Sequence, residues 1–422
     1  MQKRVLMVGA GNCQLHMIRR LKERGCYTIA ADYNAWTPAK DIADVSVVAD
    51  AFDADAIEAV ARQYEVDAVL TAGTDQPVLT VALVCARLGL PCDHSPELAR
   101  SVTDKKVMKR RFLERRIPTV PYRAVDANAD AAALEGLRPP YVLKPVDSQG
   151  QRGIFLVDTP EEAIRALPET LQHSRSSFAL VEEYWESTEI TVTGWVSAGA
   201  VRILAITDRV TFPARERLGV CLSHEYPSMH LRSEQGTAFE AKVVTLTEQI
   251  CTAFSIVEGP IYFQFLVRGM ELRVNEIACR IGGAYEDVTI PLVTGFSLLD
   301  AVIDRALGLP VALPPAPDQG RFYSTQLFFC SPGIVTETQI PPIALHAAIH
   351  LKPGDRSLPV RSASERAGYF IVVGNSQQEV EDKIDVAFRQ LRVAEGKKNL
   401  VQVPDRTALL ALALSPKRHD KS

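Results

Sequence analysis

The first hundred residues switch repeatedly between two periods of apolar residues. Arg4–Val8 is a short apolar run ending in Gly9-Ala10-Gly11, and Leu15–Arg24 follows with Leu15, Ile18 and Leu21 on one helical face and Gly25 after it. Tyr27–Asp32, Val45–Ala49 and Ala68–Thr71 read as further strands, the last leading into Gly73-Thr74-Asp75. Asp55–Tyr64 and Val78–Leu88 read as helices. Strands alternating with helices predict parallel βαβ units on an open sheet. The Gly9/Gly11 turn looks like a dinucleotide fingerprint with Gln14 where its third glycine belongs. A plain strand-to-helix turn is the simpler reading, and a nicotinamide-dependent reductase is the rival it leaves open.

The pattern changes at Ser101. Val102–Arg116 predicts a strongly cationic helix closed by Pro118 and Pro121. Such a charge run is ordinarily a solvated face, but Asp104-Lys105 at its start can present a lysine to an anion. Tyr141–Pro145, the turn Asp147–Gly153 and the strand Ile154–Val157 predict a glycine-rich hairpin, and a helix follows from Asp158 to about Leu167. This is not a Walker loop, which needs GxxxxGK[ST] before a helix. Backbone N–H groups at its tip can nevertheless close over phosphates. Lys144 sits within an apolar strand and must reach an anion or solvent, because burying it unpaired is costly.

Phe178–Trp185 runs from an apolar strand into Glu182-Glu183-Tyr184, and Glu189 opens an alternating strand. Gly259–Val267 and Leu272–Arg280 predict a hairpin about Arg268-Gly269-Met270. A period of two places Val274, Glu276, Ala278 and Arg280 on one face, ahead of Gly282-Gly283. That face suits a site, with an exposed salt-bridged strand as the bland alternative. His224 lies in a segment that could line an acceptor pocket, although a lone histidine beside a turn is more often structural. Toward the C-terminus, Ile349–Asp355, Glu365–Gly374 and the helix Ser376–Arg392 predict a small β-cap. Arg366 is there as a candidate contact for a substrate carboxylate, and Pro416–Ser422 reads as a frayed polar tail.

Composition narrows the class. The 422 residues carry a formal charge of −4, 47% hydrophobic and 23% charged positions. These are globular values with no basic footprint, so neither nucleic acid nor an anionic membrane is an expected partner. No apolar run reaches the about 18 residues of a membrane span, and Val5–Val8 is too short for a signal-peptide core. The eight cysteines make no CxxC pair, so the expectation is a reduced, cytoplasmic enzyme without a zinc site.

Four elements in order, Asp104-Lys105-x-x-Met108-Lys109, Leu143-Lys144-Pro145 with Ser148–Gly153, Glu182-Glu183-Tyr184 with Glu189, and Gln264 with Glu276 and Arg280, resemble the ATP-grasp superfamily of carboxylate–amine ligases. Within it the pattern resembles L-amino-acid ligases and the large-chain ATP-binding domain of carbamoyl-phosphate synthetase. The resemblance implies an α/β fold in four parts: an open parallel domain (1–100), a small lid subdomain (101–185), a large subdomain (186–310) and an α+β cap with tail (311–422). It implies ATP with Mg²⁺, Mn²⁺ being able to substitute. Lys105, Lys144, Ser148, Gly150 and Gly153 would hold phosphates; Glu182, Glu183 and Tyr184 adenine; and Glu189 ribose. Gln264 and Glu276 would be metal ligands, and Arg280, Glu276 and Lys144 the catalytic groups. Small-molecule carboxylate and amine substrates, with a homodimer as one option, complete the expectation. The implied reaction passes through an acyl phosphate, with an amino acid or dipeptide as the favoured substrate. A purine-pathway carboxylase-like enzyme and a non-catalytic nucleotide-binding protein are the rivals. Ala278 stands where many members have asparagine and cannot ligate, so one metal is better supported than two.

Overall fold

The computed structural model describes residues 2–315 and 320–405, so the expectation for Pro416–Ser422 lies outside the described residues. Strands β1 (Arg4–Val8), β2 (Tyr27–Asp32), β3 (Val45–Val48) and β4 (Ala68–Leu70) form a parallel sheet in the order β3-β2-β1-β4. Helices α1 (Leu15–Glu23), α2 (Ala54–Gln63) and α3 (Pro77–Leu88) make the crossovers. The order reverses between β1 and β4, and such a switch point is where open α/β sheets bind ligands. Here the crevice is already filled. Gly73 N donates to Ile281 O (3.2 Å), and a Cβ on Gly283 would lie 2.5 Å from Gly73 O. The Gly9 turn is also closed on itself, since Ala10 N donates to Asp32 and Gly11 N to Gln14 Oε1 (2.8 Å). These amides are not free for a dinucleotide phosphate, which removes the structural basis of the reductase reading.

The long cationic helix is two helices. α4 (Pro96–Thr103) and α5 (Lys105–Glu114) meet at Asp104, whose carboxylate caps α5 by accepting from Lys106 N and Val107 N. Because α4 crosses residue 100, no linker separates the first two parts there. The second part is an antiparallel sheet, β5-β8-β6-β7, built from β5 (Tyr122–Asp126), β6 (Tyr141–Pro145), β7 (Phe155–Val157) and β8 (Phe178–Glu183). α6 (Pro160–Gln172) packs on it through Ala163 and Leu167.

The third part begins with β9 (Thr188–Ser197), β10 (Ala200–Thr211), the single turn α7 (Ala214–Arg217) and β11 (Cys221–Tyr226). It continues through α8 (Gly236–Phe254), β12 (Gly259–Arg268), β13 (Glu271–Ala278), α9 (Glu286–Thr294) and α10 (Leu298–Ala306). Beyond residue 311 come β14 (Phe322–Cys330), the short β15 (Gly333–Ile334) and β16 (Glu337–Gln339), β17 (His346–Ile349), β18 (Arg356–Ser357), β19 (Gly368–Gly374) and α11 (Gln377–Gln390). β14, β19 and β17 do not form a separate cap. They extend the large sheet, ordered β13-β12-β9-β10-β11-β14-β19-β17, because β11 pairs directly with β14. Backbone pairing therefore crosses the expected boundary at 310/311.

Register decides which residues of β13 face the site. Phe265 opposes Val274 and Gln264 opposes Glu276, so Asn275 is an extra residue, a β-bulge. Leu272 and Val274 point into the core beneath α8, and after the bulge Ile277 and Cys279 do so. The expected common face of Val274 with Glu276 is thus incorrect. The bulge moves Glu276 and Ala278 to the opposite side from Val274 and exposes Asn275 to the cleft.

Candidate active site

The small sheet and the large sheet face one another across a cleft of about 400 Å³. From the small sheet Val142, Lys144 and Glu182 line it, and from the large sheet Glu189, Arg209, Gln264, Leu266, Asn275 and Glu276. Val142 with Val120 on one side and Leu266 on the other supply apolar walls, as a cavity for a flat ring requires.

Lys144 and Glu276 share this cleft. Lys144 Nζ lies 2.8 Å from Glu182 Oε2 and 3.4 Å from Asn275 Oδ1, so one ammonium joins the two layers. Lys105, on the first turn of α5, pairs with Glu276 Oε1 (2.9 Å) and donates to Ser148 O (3.0 Å). Lys109 Nζ lies 3.0 Å from Glu182 Oε1, off its hydrogen-bonding direction, and donates to Thr119 Oγ1 (2.6 Å). All three lysines are buried. Burial alone would raise the carboxyl of Glu182, but Lys109 and Lys144 hold it below the usual range; Lys105 does the same for Glu276. Burial pushes Lys109 down to about 8 despite Glu182, whereas Glu276 and Asp75 outweigh burial and push Lys105 up.

Several residues have partners different from those expected. Glu182, expected beside adenine, lines the cleft with its carboxylate held by Lys109 and Lys144. Glu183 turns to the rim, where Arg138 NH2 meets its carboxylate at 3.2 Å. The amides of Glu183 and Tyr184 are taken by Pro121 O (3.0 Å) and Pro140 O (2.8 Å), so neither is a free donor for a base. A strand spends its amides on its neighbours, and Trp185–Ser187, which follow β8, also line the cleft. Glu189 lines the cleft with its carboxylate on Arg209 NH1 (2.5 Å). Arg280 is turned toward the first sheet. Its Nε and NH2 meet Asp75 Oδ1 at 2.7 and 2.6 Å, at the switch-point loop.

The glycine-rich loop is latched at both ends. Gln149 Oε1 accepts from Asp75 N (2.7 Å), and Gly150 O accepts from Ala363 N (3.1 Å). Gln151 and Ile154, rather than Ser148, Gly150 or Gly153, reach the cleft wall. Gly153 has φ +70°, and a Cβ there would lie 2.7 Å from the His173 ring, so this corner requires glycine. Asp75, Arg209 and Asn275 had no role in the sequence reading, and Lys109 entered only as part of the Asp104–Lys109 motif. Asp75 had a usable signal, its position at the carboxyl end of a parallel strand; Asn275 had none before register was known.

Glu276, Gln264 and Asn275 present one carboxylate and two amide oxygens, hard donors suited to a small divalent cation. Among the described residues no group of three or more His, Cys, Asp or Glu could hold a metal. A cation here therefore fits only with oxygens from a bound ligand completing its shell.

Residues 328–395 match the family described as L-amino acid ligase C-terminal domain 2. The chain is 32% identical over 152 residues to the formate-dependent phosphoribosylglycinamide formyltransferase of Stenotrophomonas maltophilia, covering 36% of this chain and 38% of that protein. It is 27% identical over 280 residues to carnosine synthase 1 of Homo sapiens, covering 61% of this chain and 32% of that one. The chain thus spans about two-fifths or less of these relatives' lengths. The crystal structure of L-amino acid ligase from Bacillus licheniformis superposes with a TM-score of 0.76 at 16% identity, over 93% of this chain and 98% of that one. Among the described residues no helix is long and apolar enough to cross a membrane. A lysine-bearing sheet closes over a carboxylate-bearing sheet, the chain shares its fold with that L-amino acid ligase structure, and residues 328–395 match the L-amino acid ligase C-terminal domain.

Proposed function

We propose that this chain is an ATP-dependent ligase joining a carboxylate to an amine, with an amino acid or dipeptide-type substrate. The observation that carries the reading is Lys144 and Lys105 meeting Asn275 and Glu276 across one cleft. ATP brings roughly four negative charges, which a site shielded from water must neutralise. Lys105 pairs with Glu276 and Lys144 with Glu182. On binding, Lys105 and Lys144 exchange part of that pairing for phosphate oxygens. The base lies between Val142 and Leu266 against the 185–187 segment, and Glu189 accepts from the ribose. Magnesium, or manganese in its place, would be held by Glu276 with Gln264 and Asn275, and when bound it neutralises phosphate charge.

The substrate carboxylate attacks the γ-phosphorus in line, giving ADP and an acyl phosphate. The amine then displaces phosphate through a tetrahedral adduct. Positioning and electrostatics suffice, and no side-chain nucleophile is required. Arg280, aimed by Asp75, balances charge on the adduct.

A second reading, a purine-pathway enzyme of carboxylase or formyltransferase type, has the 32% identity to the formyltransferase in its favour. The matched C-terminal domain supports the amino-acid ligase instead. The test is ADP release by the full chain with amino acids singly and in pairs, with aminoimidazole ribotide and bicarbonate, and with glycinamide ribotide and formate, products being read by mass spectrometry. An amide of two amino acids is expected. Background phosphate release with every acceptor, despite ATP binding, would leave only a nucleotide-binding protein. Mass photometry checks the homodimer.

A further inference from the structure

The face of the large sheet that carries the cleft continues beyond it. Glu276, Gln264, Thr191 and Thr207 are successive cross-strand partners in one row. Two residues along each strand, Glu189 is held by Arg209, which lies directly opposite His224, itself opposite Thr325. A period of two puts both rows on the same face, and directly opposed side chains have Cβ atoms about 4.5–5.5 Å apart. α9 covers the far end of this face, with Thr289 Oγ1 2.7 Å from Thr325 Oγ1.

Three polar atoms under the first turn of α9 have no hydrogen-bond partner: Glu286 Oε1, His224 Nε2 and Arg366 Nε. Glu286 and His224 are 4% and 5% exposed. Each is anchored through its other end. Glu286 Oε2 accepts from Ala284 N (2.8 Å), and Arg366 NH1 donates to Gly283 O (2.9 Å). His224 Nδ1 lies 3.3 Å from the hydroxyls of Thr191 and Thr207 and 3.5 Å from Glu286 Oε1, so the carboxylate and the imidazole sit side by side. With Nδ1 accepting, Nε2 carries the proton and is a donor without an acceptor. Glycine at 282 is a condition of the arrangement, since a Cβ there would lie 2.4 Å from the Glu286 carboxyl. Burial raises the Glu286 carboxyl and pushes His224 down to about 3. Leaving a buried acceptor and buried donors unmade is costly in a finished core, and two of these groups carry opposite formal charge.

We propose that Glu286, His224 and Arg366 form the subsite for an α-amino-acid zwitterion, Glu286 taking the ammonium and Arg366 with His224 the carboxylate. This deepens the ligase reading above and rests on it. It assigns Glu286 and Arg366 as specificity residues from α9 and from the segment before β19. It also disfavours a phosphorylated purine precursor here, because the Glu286 carboxylate would repel a phosphate.

The test is calorimetric titration of the full chain, with a non-hydrolysable ATP analogue and Mg²⁺ present. The probes are the twenty L-amino acids and, for each that binds, its 2-hydroxy acid and its decarboxylated amine. Wild type is expected to bind an amino acid at least about 10-fold more tightly than either counterpart, and Glu286→Gln to lose about 10- to 100-fold toward the amino acid alone. Arg366→Met should erase the preference over the amine. Affinity for the ATP analogue should stay within about 2-fold in both variants, which shows that they fold; Glu286→Asp replaces Glu286→Gln if it does not fold. Equal binding of amino and hydroxy acid, or no loss in the Glu286 variant, would overturn the subsite. ADP release with carboxylates lacking an amine, and with no amino acid, would also overturn it while leaving the ligase standing. Zwitterion binding without any ADP release would sink the ligase reading and keep the subsite.

Discussion

Glu182→Gln tests the electrostatic frame of the cleft most directly. The substitution keeps shape and removes one charge from between Lys144 and Lys109, which are 2.8 and 3.0 Å from its two oxygens. Removing one member of a buried ion pair costs about 3–5 kcal/mol, because the other charge is left uncompensated. Here the protein has an escape. Lys109 already titrates near 8 with Glu182 present, so without the carboxylate it sheds its proton near neutrality and caps the loss at about 2–4 kcal/mol. The pH dependence has a definite shape. Glu182 is depressed in the folded protein, so its stabilisation is present above the ordinary carboxylate value of about 4.3 and is lost as pH falls through the folded value. Lys109 is depressed as well, so above about 8 the folded protein no longer carries that ammonium and needs Glu182 less. The difference between wild type and variant should therefore peak between about pH 5 and 8 and shrink on either side. Denaturant unfolding at pH 4, 6.5 and 9, followed by tryptophan fluorescence, measures it. A variant within about 0.5 kcal/mol of wild type at pH 6.5, or a difference that grows toward pH 9, would refute the reasoning.

Lys144→Met and Glu276→Gln should each lower ATP turnover at least about 100-fold, the scale for losing one preorganised charge-stabilising group, with far-UV circular dichroism unchanged; ordinary turnover in either would remove them from the site. Deleting Asn275 should leave Glu276 on the cleft face, because Val274 and Glu276 already oppose Phe265 and Gln264 on either side of the extra residue, so the deletion should cost about as much as Asn275→Ala, the loss of the Asn275 contact to Lys144; ATP-analogue affinity and thermal midpoint of the two variants give the comparison, and a deletion that alone abolishes binding would contradict the assigned register. Asp75→Asn should reduce kcat about 10-fold or more while leaving the KM for ATP nearly unchanged, since Asp75 aims Arg280 and does not line the cleft; a change confined to KM would place Arg280 on the nucleotide.

Much was legible in the linear chain. Alternating periods give the parallel sheet and its helices because apolar spacing acts locally. Lys144 within an apolar strand and Glu276 on the returning hairpin announce themselves because an unpaired charge does not stay in a core. What pairs with what was not legible. The bulge at Asn275 is a property of two strands in register, invisible in one strand alone, and it reverses the face assigned to Val274 relative to Glu276. The pairing of Glu182 with two lysines arises only when α5 and β6 pack on either side of it. The Gly9 turn carried a nucleotide-like pattern, yet Asp32 and Gln14 consume its amides and the Ile281–Gly283 segment fills the crevice. Periodicity and the cost of isolated charge are encoded residue by residue. Register, partner choice and which polar atoms remain unsatisfied arise from contacts between distant segments, and only the folded chain decides them.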